Sequence, residues 1–355
     1  MNVKRTILLT PPQLGSEHIK EKITCIRAHR ERIFQVYTQK TERKLICHNY
    51  GQGGAGWTFL FGCVNESIRQ YQQHVQEDTS LAKQPICVIG AGCYGLLTAI
   101  ILARAGYTVR IVAKDTHNLP SDKAAGFFFP RARKCSTPQE RAIFQAYGME
   151  SYRTYLQIIN GTHPFITAGP KLLPAYYGLD IDPGFAPYIA DELVKHPEQV
   201  TIDFGNGKQY DALEYQTVFI NSTAMMLQLH RCVQNLNISI EKKEIETFDD
   251  IPEPIIFNCT SLGAKKLTGD VRLIPVQGHL ITLTNQPAVE NLQYLINVKV
   301  VMPSVKGTPR DELIYFAPKD QGILGITFIR GQENPAANQH EFDRLLQRCK
   351  EYFGT

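Results

Sequence analysis

A glycine-spaced turn inside the most apolar stretch of the chain limits the fold more than any other feature. Gly90-Ala-Gly92-Cys-Tyr-Gly95 follows the apolar run Ile86-Cys-Val-Ile89 and opens a segment, about Cys93 to Ala105, that is apolar almost all round. A buried strand, a tight turn and a buried helix account for this pattern. Gly106 stands where a C′ glycine ends a helix, and Thr108-Val-Arg-Ile-Val-Ala113 supplies a second strand. Residues 86–113 are therefore expected as one βαβ unit. In that setting Gly90 permits the turn, Gly92 lets backbone approach a pyrophosphate, and Gly95 lets helix and strand pack closely. Cys93 and Tyr94 fall in the first helical turn, whose N–H groups face the phosphates. Asp115, shortly after the second strand, can accept hydrogen bonds from ribose hydroxyls; Lys114 beside it can reach a phosphate or the adenosine edge. An NAD-dependent dehydrogenase would use the same turn.

The other elements read less sharply. Ile23–Ile26, Ile33–Tyr37 and Lys44–Cys47 have strand character, and a glycine cluster, Gly51, Gly53, Gly54 and Gly56, precedes a helix over 57–74. Residues 76–85 read as a linker. Helical periodicity marks 136–158, 222–236 and 339–352. Pro254–Asn258 reads as a buried strand, and Lys319–Gly322 as the turn of an antiparallel hairpin. Residues 160–215, rich in Gly, Pro and Tyr, resist assignment.

Composition removes several function classes. The net charge of +4 is far from a nucleic-acid footprint, so no nucleic-acid partner is expected. No apolar run is long enough for a transmembrane helix or a signal-peptide core, and the four Asn-x-Ser/Thr sequons read as chance matches. The 9 cysteines form no CxxC pair and several lie in apolar runs. Buried free thiols are expected, with no metal site and a reducing, cytoplasmic setting.

Four segments together resemble the D-amino-acid oxidase family of FAD-dependent oxidoreductases. They are Val88–Ala99 with Val109–Asp115; Ala124-Ala125-Gly126 followed by Phe129-Pro130; Phe257–Ala264 with Pro275-Val-Gln-Gly278-His; and His48-Asn-Tyr-Gly51-Gln52-Gly53-Gly54-Ala-Gly56-Trp57-Thr58. The last is similar to the family's closing signature, yet here it precedes the dinucleotide turn, so the chain resembles a circular permutation of the family order.

The resemblance implies an α/β fold with an α+β substrate part: a Rossmann-like FAD-binding domain joined to an antiparallel-sheet substrate domain. Residues 1–48 would give permuted late strands of the substrate domain, and 49–75 the glycine loop and helix that meet the flavin. The linker is 76–85; 86–160 with 221–275 would bind FAD, and 161–220 with 276–355 would form the substrate domain. Among the site residues, it implies that Arg27 and Tyr315 hold a substrate carboxylate and that the Gly54 carbonyl faces the amine. Gly51, Gln52, Gly53, Gly56, Trp57, Thr58, Ala125, Gly126, Thr260 and Gly263 would join the dinucleotide turn in holding FAD. The implied reaction is oxidation of a D-amino acid to the imino acid by hydride transfer to flavin N5, in a chain compatible with a homodimer.

Departures stand beside the likeness. Gln52 takes a place where the family often has His, Gln277 one where Arg is common, and the lid around 300–310 offers no second tyrosine. A glycine- or sarcosine-type oxidase, a D-amino-acid dehydrogenase and a catalytically degenerate flavin-binding protein are the alternatives.

Overall fold

Apolar runs too short to cross a membrane but long enough for buried strands build the first of two sheets. The computed structural model describes residues 4–130, 137–302 and 310–355. Its strands are β1 (Arg5–Leu8), β2 (Ile19–Arg30), β3 (Gln35–Lys40), β4 (Leu45–Tyr50), β5 (Ile86–Ile89), β6 (Val109–Ala113), β7 (Pro170–Tyr177), β8 (Glu198–Asp203), β9 (Gln209–Ile220), β10 (Ile240–Lys242), β11 (Ile255–Asn258), β12 (Leu273–Leu283), β13 (Leu295–Met302), β14 (Arg310–Ala317), β15 (Ile323–Gly325) and β16 (Ile329–Arg330). Its helices are α1 (Gly56–Glu77), α2 (Cys93–Arg104), α3 (Pro120–Lys123), α4 (Pro138–Ile159), α5 (Ala186–Ala190), α6 (Ser222–Asn235), α7 (Ala264–Thr268) and α8 (His340–Phe353).

The six-stranded sheet runs β10-β6-β5-β11-β4-β3 and is parallel except for the edge strand β3. Alternate residues feed two cores. Ile86, Val88, Ile111 and Phe257 face α1 and α2, whereas Cys87, Ile89, Val112 and Ile256 face the 245–251 segment. Burial on both faces is why these strands read as continuous apolar runs instead of alternating ones. β5 leads through α2 to β6 on one side while β11 and β4 lie on the other, so the strand order switches direction between β5 and β11. In open parallel sheets that switch point is where a ligand crevice opens, beyond the carboxyl ends of the strands.

The second sheet has ten strands, ordered β1-β8-β9-β7-β13-β14-β15-β12-β16 with β2 also on β12, and is antiparallel apart from the pairs β1–β8 and β7–β13. α8 covers it with Phe342, Leu345, Cys349 and Phe353 packed among Ile281, Phe316 and Leu324. The hairpin expected around Lys319–Gly322 is β14–β15, with Tyr315 opposite Gly325.

Three expectations need correction. Residues 1–48 do not all belong to the substrate sheet. β1 and β2 do, but β3 and β4 pair in the six-stranded sheet, where Ile255–Asn258 lies along Leu45–His48. A strand's apolar run says that it is buried, not which sheet it joins. The boundary at 275 falls inside β12, which begins at Leu273. Residues 76–85 are no open linker: α1 continues to Glu77 and a 3-10 helix at Thr79–Lys83 leads into β5. The segment that resisted assignment supplies β7, α5, β8 and most of β9. Cys135 and residues 303–309 of the lid segment lie outside the described residues. Among those described, no helix is long and apolar enough to cross a membrane.

Candidate active site

The dinucleotide turn is packed as its spacing requires. Gly90 has φ +116, and a Cβ there would lie 2.4 Å from the Cys259 carbonyl oxygen on the neighbouring strand end. At Gly95 a Cβ would lie 1.9 Å from the Gly90 oxygen, so helix and strand meet backbone to backbone. Gly92 is the N-cap of α2 and brings no capping side chain. A hydroxyl arrives from outside instead: Ser121 Oγ accepts the Cys93 N–H at 3.2 Å. Ser121 was not singled out in the sequence; its hydroxyl close to Ala124–Gly126 was the available signal.

The glycine cluster opens α1 beside this turn, at the end of β4. Gly51 and Gly53 have positive φ, and the Gly51 carbonyl accepts the Arg30 N–H at 3.0 Å, which ties the loop to β2 of the other sheet. Tyr94 Oη donates to the Gly56 carbonyl at 2.9 Å, joining the first turns of α1 and α2. Trp57 Nε1 donates to the Ser121 carbonyl at 3.2 Å, and Thr58 Oγ1 accepts the Phe129 N–H at 3.1 Å. Both helix N-termini and the 121–129 loop thus converge on one place. An N-terminal helix end favours negative charge and donates N–H groups.

Other expected cofactor residues surround this place with their side chains engaged elsewhere. Gln52 Nε2 donates to Asn49, and Thr260 Oγ1 donates to Asn258 at 2.7 Å. Lys114 pairs with Glu244 at 2.9 Å on an exposed edge next to the exposed Asp115. Ala125 is buried, and Gly126 packs its backbone against Ile220, whose N–H it accepts at 2.7 Å. Gly263 follows Thr260 in a 3-10 turn at the end of β11.

Arg27, Gly54 and Tyr315, far apart in the chain, come together. Arg27 is buried on β2, opposite Val276 of β12. Its Nη2 donates to the Gln277 carbonyl at 3.2 Å and to the Thr327 carbonyl at 2.5 Å, and its Nε to the Val276 carbonyl at 3.4 Å. The Phe328 ring lies 4.4 Å from its Cζ. Nη1 has no hydrogen-bond partner among the described residues and points toward Gly54, lying 3.4 Å from where a Cβ there would stand. Burial lowers the Arg27 pKa, opposed by the nearby Cys25 and Tyr315 groups. Tyr315 packs 4.9 Å from Phe127, and burial pushes its hydroxyl up against the lowering effects of Arg27 and the Phe127 backbone.

Two further residues shape this place: Gly278, which lies in a segment that carries the family resemblance, and Tyr177, which the sequence did not single out. Gly278 makes room for the guanidinium, since a Cβ there would lie 2.7 Å from Arg27 Nη2. Tyr177, at the end of β7, stacks on Phe129 at 5.8 Å and faces Phe127 edge-on. Its hydroxyl is buried without a well-formed hydrogen bond, and Asn297 and Tyr315 are among its polar neighbours.

The family model described as FAD dependent oxidoreductase (DAO) matches residues 85–355. The chain belongs to this family. Its cofactor is FAD, and it is an oxidoreductase. Human D-aspartate oxidase is 25% identical over 284 residues, covering 74% of each chain. A Dictyostelium discoideum D-amino-acid oxidase is 24% identical over 285 residues, 74% of this chain and 71% of that one. The Streptomyces coelicolor D-amino-acid oxidase matches at 25% over 210 residues, and this chain spans only 61% of its length. In fold, iminodiacetate oxidase from Chelativorans sp. BNC1 is similar with a TM-score of 0.56, 16% identity, and coverage of 76% of this chain and 79% of that one. Glycine oxidase from Bacillus cereus has a TM-score of 0.54 at the same identity and coverage.

The residues present fit FAD. The Gly90–Gly95 turn, the α2 N-terminus and the Ser121 hydroxyl suit an anionic pyrophosphate. The α1 N-terminus and glycine loop suit an electron-accepting ring.

Proposed function

We propose that the protein oxidises a D-amino acid, or a related small amine-bearing acid, to the imino acid, which water converts to the 2-oxo acid. The observation that carries this reading is the buried Arg27 guanidinium, with Nη1 toward Gly54 and with Tyr315 as neighbour. A guanidinium so held presents a charge-assisted, directional contact to a carboxylate. Tyr315 and the buried Tyr177 hydroxyl add donors to the same anion. The Gly54 carbonyl accepts from the substrate amine. Bound FAD supplies the two-electron acceptor. The chain's own work is orientation: with carboxylate and amine fixed, the Cα hydrogen is aimed at the ring and the reaction becomes effectively intramolecular. The aromatic wall of Phe127, Phe129 and Tyr177 keeps water from that face.

The circular permutation belongs to the same reading. It is supported by the family match starting at residue 85 and by the flavin-facing signature lying before it. β1 and α8 lead to the same turn: Leu9 N–H donates to the Asp203 carbonyl at 2.9 Å, and Asn206 donates to the Phe353 carbonyl at 2.8 Å. Such nearness of β1 and α8 lets the two blocks be joined in either order.

Incubating the protein with paired D- and L-amino acids, glycine and sarcosine, and measuring 2-oxo acid with oxygen or an artificial acceptor, tests the reading. Product from D-enantiomers is expected. Product from glycine or sarcosine alone, or only with the artificial acceptor, would replace the substrate or the acceptor.

A further inference from the structure

A buried lysine on the β14–β15 turn has no role in the chemistry described above. Lys319 is 5% exposed, and no ion pair joins it to an acid among the described residues. Its ammonium donates to the carbonyls of Asp122 and Ala124, the latter at 3.1 Å. Ser222 Oγ donates to the same two carbonyls, at 3.3 and 2.7 Å. The segment between them therefore carries two clamps, one neutral from α6 and one cationic from the substrate sheet. The Asp122 carboxylate is turned away to accept the Leu119 N–H at 2.8 Å, and Asp320 follows Lys319 on the turn. Burial lowers the Lys319 pKa, which the two acids oppose from a distance.

Burying an ammonium against carbonyls alone is costly, and a neutral donor such as Ser222 already holds this segment. The charge thus calls for an anion. The clamped segment runs from Ser121, at the mouth of the α2 N-terminus, to Gly126, before Phe127. We propose that Lys319 is a positioning residue of the FAD site: it locks the 121–126 segment to the Tyr315 hairpin and supplies the counter-charge for the anionic dinucleotide. This rests on the reading of that segment as a wall of the FAD site. It makes the substrate sheet and the cofactor crevice depend on each other, since one turn carries Tyr315 at its start and the clamp at its tip.

Trp57 is the only tryptophan, and its indole donates to Ser121 on this segment, so its fluorescence reports FAD binding to apoprotein. The test titrates FAD into full-length wild type, Lys319→Met, Lys319→Arg and Ser222→Ala, and measures the flavin midpoint potential of each loaded protein. Losing a charged hydrogen-bonding group is expected to weaken FAD binding about tenfold or more in Lys319→Met. The potential should shift to more negative values, because reduction adds negative charge that the ammonium no longer stabilises. Lys319→Arg should restore both. Ser222→Ala should weaken binding without moving the potential. Equal affinity and potential in wild type and Lys319→Met would overturn the proposal, as would Lys319→Met and Ser222→Ala behaving alike in both measurements. A wild type that takes up no FAD would overturn the underlying reading as well, and is distinguished by being seen before any variant is compared.

Discussion

At the residue scale, Arg27 shows how one side chain's chemistry is made by its neighbours. Three carbonyls hold it, Phe328 covers it, and the missing Cβ of Gly278 leaves the space it fills. Arg27→Met should retain FAD but lose at least about a hundredfold in kcat/KM for an amino acid, on the scale of a lost buried charge-assisted contact. Unchanged steady-state kinetics would remove Arg27 from the site. Gly278→Ala is a finer probe. The clash is with the end of a flexible side chain, so the guanidinium moves and the fold does not. KM should rise with little change in Tm. A large fall in Tm with an unchanged KM would mean that Gly278 serves packing alone. Arg27 and Tyr315 were named only through the family resemblance, and the structure places them near one another. Tyr177, Ser121 and Lys319 were not: Tyr177 and Ser121 lie in unassigned stretches, and Lys319 read only as a turn residue, because a tyrosine, a serine or a lysine has no pattern of its own until tertiary structure sets its partners.

At the element scale, the parallel strands and their turn were the most readable part. Burial on both faces forces continuous apolar runs, and the close approaches at Gly90 and Gly95 admit no side chain. Sheet membership of β3 and β4 was not readable, since pairing is a long-range choice. Those strands carry a pH dependence. His48 on β4 is fully buried, its Nδ1 accepts from Asn258 of β11 at 3.1 Å, and burial pulls its pKa down from 6.5 to about 4. A depressed histidine pKa means that the unfolded chain binds the proton first. Its contribution is present above pH 6.5 and is lost as pH falls toward 4, amounting to about 3 kcal/mol across that window. Denaturant unfolding at stepped pH should therefore show stability declining below pH 6.5, with a shallower decline in His48→Gln. An identical acid limb in the variant would assign the loss to other groups. Gly90→Ala should cost both stability and FAD uptake, because positive φ and a carbonyl 2.4 Å away leave no relaxed position for a methyl group.

At the scale of the whole molecule, two sheets meet where the glycine loop pairs with β2 and the 121–127 segment meets the Tyr315 hairpin. A ligand at that seam binds only the assembled fold. Saturating FAD should raise the unfolding free energy by RT ln(1 + [FAD]/Kd), about 2.7 kcal/mol at a hundredfold excess over Kd, and Tm should climb with FAD concentration. A chain rearranged to begin near residue 85 and to end with residues 1–75 should fold and take up FAD equally, since β1 and α8 already meet at residues 203–206. The proposed permuted order of the blocks rests on a resemblance, because periodicity and spacing carry no record of block order.

The most direct test of the account is the visible spectrum of the purified protein, before and after a D-amino acid is added without oxygen. A yellow protein is expected, or one made yellow by added FAD, whose flavin absorption bleaches with a D-amino acid and not with its L-enantiomer. A protein that stays colourless with FAD, or stays yellow with every D-amino acid, glycine and sarcosine, would contradict it.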